Sequence, residues 1–266
     1  MEFEVTSGAE RLVGYHVDPP VSDGDPPTLV VCHGYPSGMV RSDALGRSYP
    51  ALADRIANEG WRVVTFTFRG CGKSTGNFSL GGWLDDVLAV AETARTLAPN
   101  RGVWLAGFGT GGGLCVAAAA RRPEIRGVAV LGAPADFADW GAHPKRLLRH
   151  AREVGVLTSN DFPPNVDAWT RQLRDIRPVD DAARMGDRPL LVLHGSEDES
   201  VPSFDARVMA DAHGHGELRI VSGAGHDLRH DPRAVAILLG WLDRQRHRDS
   251  GREQPPASSG PEARPV

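Results

Sequence analysis

Polar and apolar residues alternate at the start of the chain, in Phe3-Glu4-Val5-Thr6 and again in Leu12-Val13-Gly14-Tyr15-His16-Val17. That period of two belongs to half-buried strands, and the intervening Ser7-Gly8 and following Asp18-Pro19-Pro20 predict an antiparallel pair at a sheet edge. The alternation then gives way to continuous apolar runs at 28–32, 63–68, 103–108, 128–131, 190–193 and 218–221. Strands without a polar face must be covered on both sides. Helical segments are predicted between them at 49–58, 83–97, 111–121, 204–213 and 233–244. Strand and helix in alternation imply an α/β fold, with a mostly parallel sheet of about eight strands and helices on both faces.

One connection is too long for a bare loop. About fifty residues separate Pro134 from Pro189, and a stretch of that length inside a domain is usually a functional insertion. It predicts a helical cap over about 137–180, with Trp140 and Trp169 as candidate ligand-binding residues. The basic cluster Lys145, Arg146, Arg149 and Arg152 reads most simply as a solvated helix face. Beyond about residue 246 the chain turns polar and rich in Pro, Gly and Ser, which predicts a disordered tail over 246–266 behind a domain of 1–245.

Composition narrows the function classes. The net charge of −4 gives no electrostatic case for nucleic acid or an anionic membrane, and no apolar run approaches the roughly 18 residues of a membrane span. Three cysteines, Cys32, Cys71 and Cys115, do not make a disulfide framework, and the first residues lack the regions of a signal peptide. A cytoplasmic protein with a small-molecule ligand is expected, without metal or cofactor, and a homodimer stays open.

The chemistry gathers at four turns. Residues 102–113 read G-V-W-L-A-G-F-G-T-G-G-G, an apolar run that ends in glycines before an Ala-rich helical stretch. This is the strand–turn–helix of a nucleophile elbow, G-x-S-x-G, with Gly109 where the serine would stand. Asp198 follows the fifth buried run in H-G-S-E-D-E-S-V-P, and His226 follows the last in G-A-G-H. Nucleophile position, acid and then histidine is the chain order of the α/β-hydrolase triad, in which the acid orients the imidazole that carries the proton. Cys32-His33-Gly34-Tyr35-Pro36 ends the strand where an oxyanion loop would lie, so the backbone N–H groups of Tyr35 and Thr110 are the candidate donors.

With F-R-G-C-G-K-S-T-G at 68–76, these stretches make the chain resemble the α/β-hydrolase superfamily, especially the bacterial esterase-like branch near the prolyl oligopeptidase catalytic domain. The resemblance covers roughly residues 3–244 and implies a Ser–Asp–His hydrolase, from which this sequence departs at the nucleophile. Gly109, which tolerates the elbow's backbone angles, is expected to relax the turn and to leave space beside His226. The same substitution marks some non-hydrolytic members of the superfamily, such as the N-myc downstream-regulated proteins.

Other hydroxyls and thiols offer little. Thr110 opens the helix, Cys115 lies inside it, and Ser37, Cys71 and Ser74 belong to neighbouring loops. His33 and His194 fit structural hydrogen-bonders, and His213 and His215 read as surface residues whose H-x-H spacing is a weak metal signal. The reading placed first is a non-hydrolytic binding protein with a capped pocket. The alternative is an enzyme that uses the His226–Asp198 dyad as a general base in lyase, cyclase or cofactor-free oxygen chemistry, or slow hydrolysis through an activated water.

Overall fold

The two alternating segments pair as their pattern predicts. In the computed structural model, which describes residues 1–252 apart from 23, 37–48, 98 and 100, β1 (Glu2–Ser7) and β2 (Glu10–Val17) run antiparallel. Glu4 faces Val13 across that pair and Val5 faces Leu12. β2 pairs antiparallel with β4 (Arg62–Phe66). From there β3 (Thr28–Cys32), β4, β5 (Val103–Phe108), β6 (Ile125–Leu131), β7 (Leu190–Gly195) and β8 (Glu217–Val221) are parallel. The eight-stranded sheet has the order β1-β2-β4-β3-β5-β6-β7-β8.

The unbroken apolar strands are explained by cover on both sides. Within β3, Leu29 and Val31 face one layer and Val30 and Cys32 the other, and all four are buried. α1 (Tyr49–Ala57) and α9 (Pro232–Arg252) supply the first layer through Leu52, Ile56, Leu238 and Trp241. α2 (Leu80–Leu97), α3 (Thr110–Arg121) and α8 (Ser203–His213) supply the second through Trp83, Val87, Leu114 and Met209. Burial of such side chains contributes about 1.5–3 kcal/mol each, so these two layers fix the sheet and everything carried on its edge.

Four helices occupy the long connection: α4 (Ala138–Ala142), α5 (Pro144–Glu153), α6 (Val166–Asp175) and α7 (Pro178–Ala182). Leu147 and Ala151 of α5 and Trp169 and Leu173 of α6 are buried, while Lys145, Arg146, Arg149 and Arg152 are exposed. The basic cluster is therefore the outer face of an amphipathic helix, tied down in part by Arg146 to Asp139 at 2.6 Å.

The end of the chain differs from expectation. α9 continues to Arg252, past the boundary near 246 where the tail was expected to begin, and Gln245 on its inner side is 3% exposed. Residues 253–266 lie outside the described residues, as does Ser37. No helix among the described residues is long and apolar enough to cross a membrane.

Candidate active site

The carboxyl ends of β3, β5, β7 and β8 meet at one edge of the sheet, where open α/β sheets place their ligands. Gly109 forms the turn between β5 and α3 with φ 51° and ψ −126°. Its N–H donates to the Leu131 carbonyl at 2.9 Å, and the N–H of Gly112 returns to its own carbonyl at 3.0 Å. The turn is thus held in the elbow conformation and has not relaxed, contrary to the expectation from sequence. Glycine changes what the conformation costs and leaves its shape alone.

The neighbouring glycines are there for packing. A Cβ on Gly107 would come within 2.6 Å of the Gly111 carbonyl, one on Gly112 within 2.8 Å of the Gly107 carbonyl, and one on Gly111 would collide with the His33 carbonyl. At Gly109 the nearest atom to a Cβ is Nε2 of His226 at 3.4 Å, an ordinary contact. Of the glycines at 107, 109, 111, 112 and 113, only Gly109 has room for a side chain.

Asp198 and His226 come together. His226 Nδ1 lies 2.8 Å from Asp198 Oδ2, and because the carboxylate accepts, Nδ1 carries the hydrogen and Nε2 keeps its lone pair toward Gly109. The Asp198 side chain is fully buried. Its Oδ1 accepts the backbone N–H groups of Ser200 and Val201, each at 2.9 Å. Burial alone would raise the Asp198 carboxyl, but hydrogen bonds from His194, His226 and Val201 outweigh it and hold the group well below the usual carboxylate range. The two loops are laced to each other by Glu197 N–H to the Ala224 carbonyl at 2.9 Å and Gly223 N–H to Ser196 Oγ at 2.8 Å.

The opposite wall is the loop after β3. His33 Nδ1 donates to the Gly34 carbonyl at 2.7 Å and Nε2 accepts the Phe68 N–H at 3.1 Å, which fixes a neutral ring. Burial pushes the pKa of His33 down to about 4. A Cβ on Gly34 would stand 3.1 Å from the Phe108 carbonyl, so the loop abuts the elbow. Tyr35 and Thr110 both line the cavity there, and Thr110 opens α3, where an N–H has no acceptor within the helix.

The cavity measures about 460 Å³. Gly109, His226, Phe108, Phe137, Trp140, Val201 and Arg229 are among its walls. Trp140 is on that wall. Trp169 is not: it is 3% exposed, packs edge-on to Phe78 and donates its indole N–H to the Phe78 carbonyl at 3.1 Å, so it belongs to the core.

Comparison with known proteins agrees with the fold. The family model described as alpha/beta hydrolase fold matches residues 27–149. The chain is 27% identical to a monoacylglycerol lipase of Mycolicibacterium smegmatis over 276 aligned positions, covering 88% of this chain and 94% of the lipase. It superposes on Est1E from Butyrivibrio proteoclasticus with a TM-score of 0.69 at 19% identity, covering 94% of this chain and 99% of that one. The esterase Pf2001 of Pyrococcus furiosus gives 0.64 at 18%, with 92% of each chain covered. This chain has the α/β-hydrolase fold.

Within this α/β-hydrolase fold the remaining candidates take structural places. Cys71 and Cys115 are buried thiols, and burial pushes the Cys71 pKa up. Ser74 donates to the Thr67 carbonyl at 2.6 Å and accepts the Val13 N–H at 2.9 Å, which anchors the loop after β4. His213, expected at the surface, is 8% exposed because its Nε2 donates to the Arg188 carbonyl at 2.9 Å. His215 is exposed. Among the described residues no three His, Cys, Asp or Glu side chains gather as metal ligands. The sequence reading missed Gly132 and Arg229. Gly132 follows β6 beside the dyad with φ 63°; a Cβ there would make ordinary 3.4 Å contacts with Asp198 Oδ2 and His226 Nδ1, so the glycine answers to the backbone angle and not to lack of space. Arg229 follows His226 by three residues, outside the G-A-G-H stretch, and its guanidinium sits over the Tyr49 ring at 5.6 Å and on the cavity wall.

Proposed function

We propose that this chain acts on a small carboxylic ester bound above Gly109, with His226 as general base and without a covalent acyl-enzyme. Gly109 occupies the place of the missing nucleophilic serine. Nε2 of His226 takes a proton from a water or from a hydroxyl of the ligand, and that oxygen attacks the carbonyl carbon. The N–H groups of Tyr35 and Thr110 receive the developing oxyanion, and Asp198 stabilises the imidazolium. The proton then passes from Nε2 to the leaving oxygen, which balances the step.

The observation that carries this reading is the ordered dyad beside a place with room for one side chain. The sequence favours a non-hydrolytic binding protein, and that reading rests on the same glycine. What moves the choice is Asp198: a fully buried carboxylate with donors on both oxygens is costly to assemble, and of the side chains it holds His226 is the one that lines the cavity. Likeness to a lipase and to esterases supports the ester class.

The test is a panel of short-chain and activated esters with the native protein, His226→Ala and Asp198→Asn. Turnover should fall by about 10²–10⁴ in His226→Ala, and a fluorophosphonate probe should leave the native protein unlabelled. Turnover that survives His226→Ala, or stoichiometric labelling, would overturn the mechanism. No turnover on the whole panel, with a small molecule retained through purification and seen by mass spectrometry, would restore the binding reading.

A further inference from the structure

Asp198 is reached by a second histidine. His194, the penultimate residue of β7, places Nε2 3.2 Å from Asp198 Oδ2 and 2.9 Å from the Val201 carbonyl. Both neighbours accept, so Nε2 carries the hydrogen. Oδ2 thus faces two imidazole N–H groups and Oδ1 two backbone N–H groups, which fills the roughly four acceptor sites of a carboxylate. The His194 side chain is fully buried and its Nδ1 has no hydrogen-bond partner. An apolar side chain would fill such a place without leaving a polar atom unsatisfied. The ring earns its burial through Nε2.

We infer that His194 is a positioning residue that fixes which oxygen of Asp198 meets His226 and, by sharing that oxygen, limits how basic His226 becomes. The inference rests on the general-base reading for its catalytic meaning, and on geometry alone for the coupling. Two donors on one oxygen oppose each other: when His226 gains a proton its bond to Oδ2 strengthens and draws charge from the bond to His194.

The surroundings add few other charges. Asp205 of α8 faces His194, and its own Oδ2 accepts the Ala135 N–H at 2.9 Å. Asp227 and Arg229 lie beyond His226 and approach each other at 3.7 Å, and Glu197 and Glu199 flank Asp198 on the exposed side of its loop. β6 presents Gly132, which has nothing to titrate. Burial disfavours a charge on His194, while Asp198, the Val201 carbonyl and Asp205 pull its pKa above the ordinary histidine value. The second proton would go to Nδ1, which has no acceptor, so Nε2 stays the donor in either state.

The experiment is imidazole ¹H–¹⁵N NMR across pH for the native protein, His194→Leu and His194→Gln. His194→Leu should raise the His226 midpoint by roughly 0.5–1 pH unit, because Oδ2 then serves one donor. His194→Gln, whose amide N–H reaches about as far as Nε2, should restore the native midpoint. A purely structural His194 predicts the opposite sign, since a loosened loop lets Asp198 leave His226 and the midpoint falls. A fall or no change overturns the inference. Should His194→Leu not fold, the native spectrum decides: the His194 Nε2 signal must shift through the His226 midpoint, and a signal that ignores it overturns the coupling. None of these readouts needs a substrate, so absence of esterase turnover would sink the proposed function and leave this result standing.

Discussion

A Cβ on Gly109 would lie 3.4 Å from Nε2 of His226, in ordinary contact, with the Gly34 Cα next at 3.7 Å. A serine oxygen carried one bond further would be within reach of the base. Gly109→Ser should therefore confer esterase activity on small activated esters and fluorophosphonate labelling at the substituted position. The backbone there has positive φ, so the same change should cost about 1–3 kcal/mol of stability. Adding His226→Ala should abolish the activity and keep the stability loss. If Gly109→Ser folds but stays inert toward p-nitrophenyl acetate, the oxyanion donors are not where Tyr35 and Thr110 place them.

The glycine run makes a graded series. Gly109→Ala adds a methyl group where one fits and should cost only the backbone strain, about 1–2 kcal/mol. Gly111→Ala drives a methyl group into the His33 carbonyl and Gly107→Ala into the Gly111 carbonyl, so each should cost about 3 kcal/mol or more. Denaturant unfolding of the three variants checks the order. Equal losses would mean that Gly109 is as tightly packed as its neighbours.

The central strands are legible because cover on both faces leaves few polar positions in them; Asp198 follows such a strand, whereas His226 follows β8, an edge strand that keeps Arg219 exposed. Packing direction is not legible. Nothing in the letters separates Trp140, on the cavity wall, from Trp169, whose N–H is spent on Phe78. Nor does polarity alone distinguish coil from the last turns of α9, where Arg and Gln sustain a helix with Gln245 turned inward. His213 in a polar H-G-H turn gives no hint that the Arg188 carbonyl draws it under cover.

The two tryptophans separate binding from stability. Trp169→Ala removes a buried ring and its hydrogen bond, and should cost about 3–5 kcal/mol by chemical denaturation. Trp140→Ala takes away a cavity wall from a half-buried position and should cost less than that, while weakening any ester that binds above Gly109. A larger stability loss at Trp140 than at Trp169 would contradict this assignment.

His33 makes folding sensitive to acid. Burial holds its folded pKa at about 4, below the ordinary histidine value of 6.5, so the unfolded chain binds a proton that the folded chain refuses. Stability from this group is complete above pH 6.5 and declines as pH falls toward 4, where the folded ring also protonates. Across that window the loss amounts to roughly 3 kcal/mol, from about 1.4 kcal/mol per unit of pKa difference. The proton would also disrupt the one arrangement in which Nδ1 donates to Gly34 and Nε2 accepts from Phe68, so the oxyanion loop should loosen over the same range. His33→Gln keeps an amide in place of the ring without titrating. It should lower stability at neutral pH, yet its stability should fall less than the native protein's between pH 6.5 and 4. Asp198, depressed well below the usual carboxylate range, loses its contribution only below pH 4, outside this window. Parallel pH profiles for the native protein and His33→Gln, measured by denaturant unfolding, would show that the ring is not the acid-sensitive group.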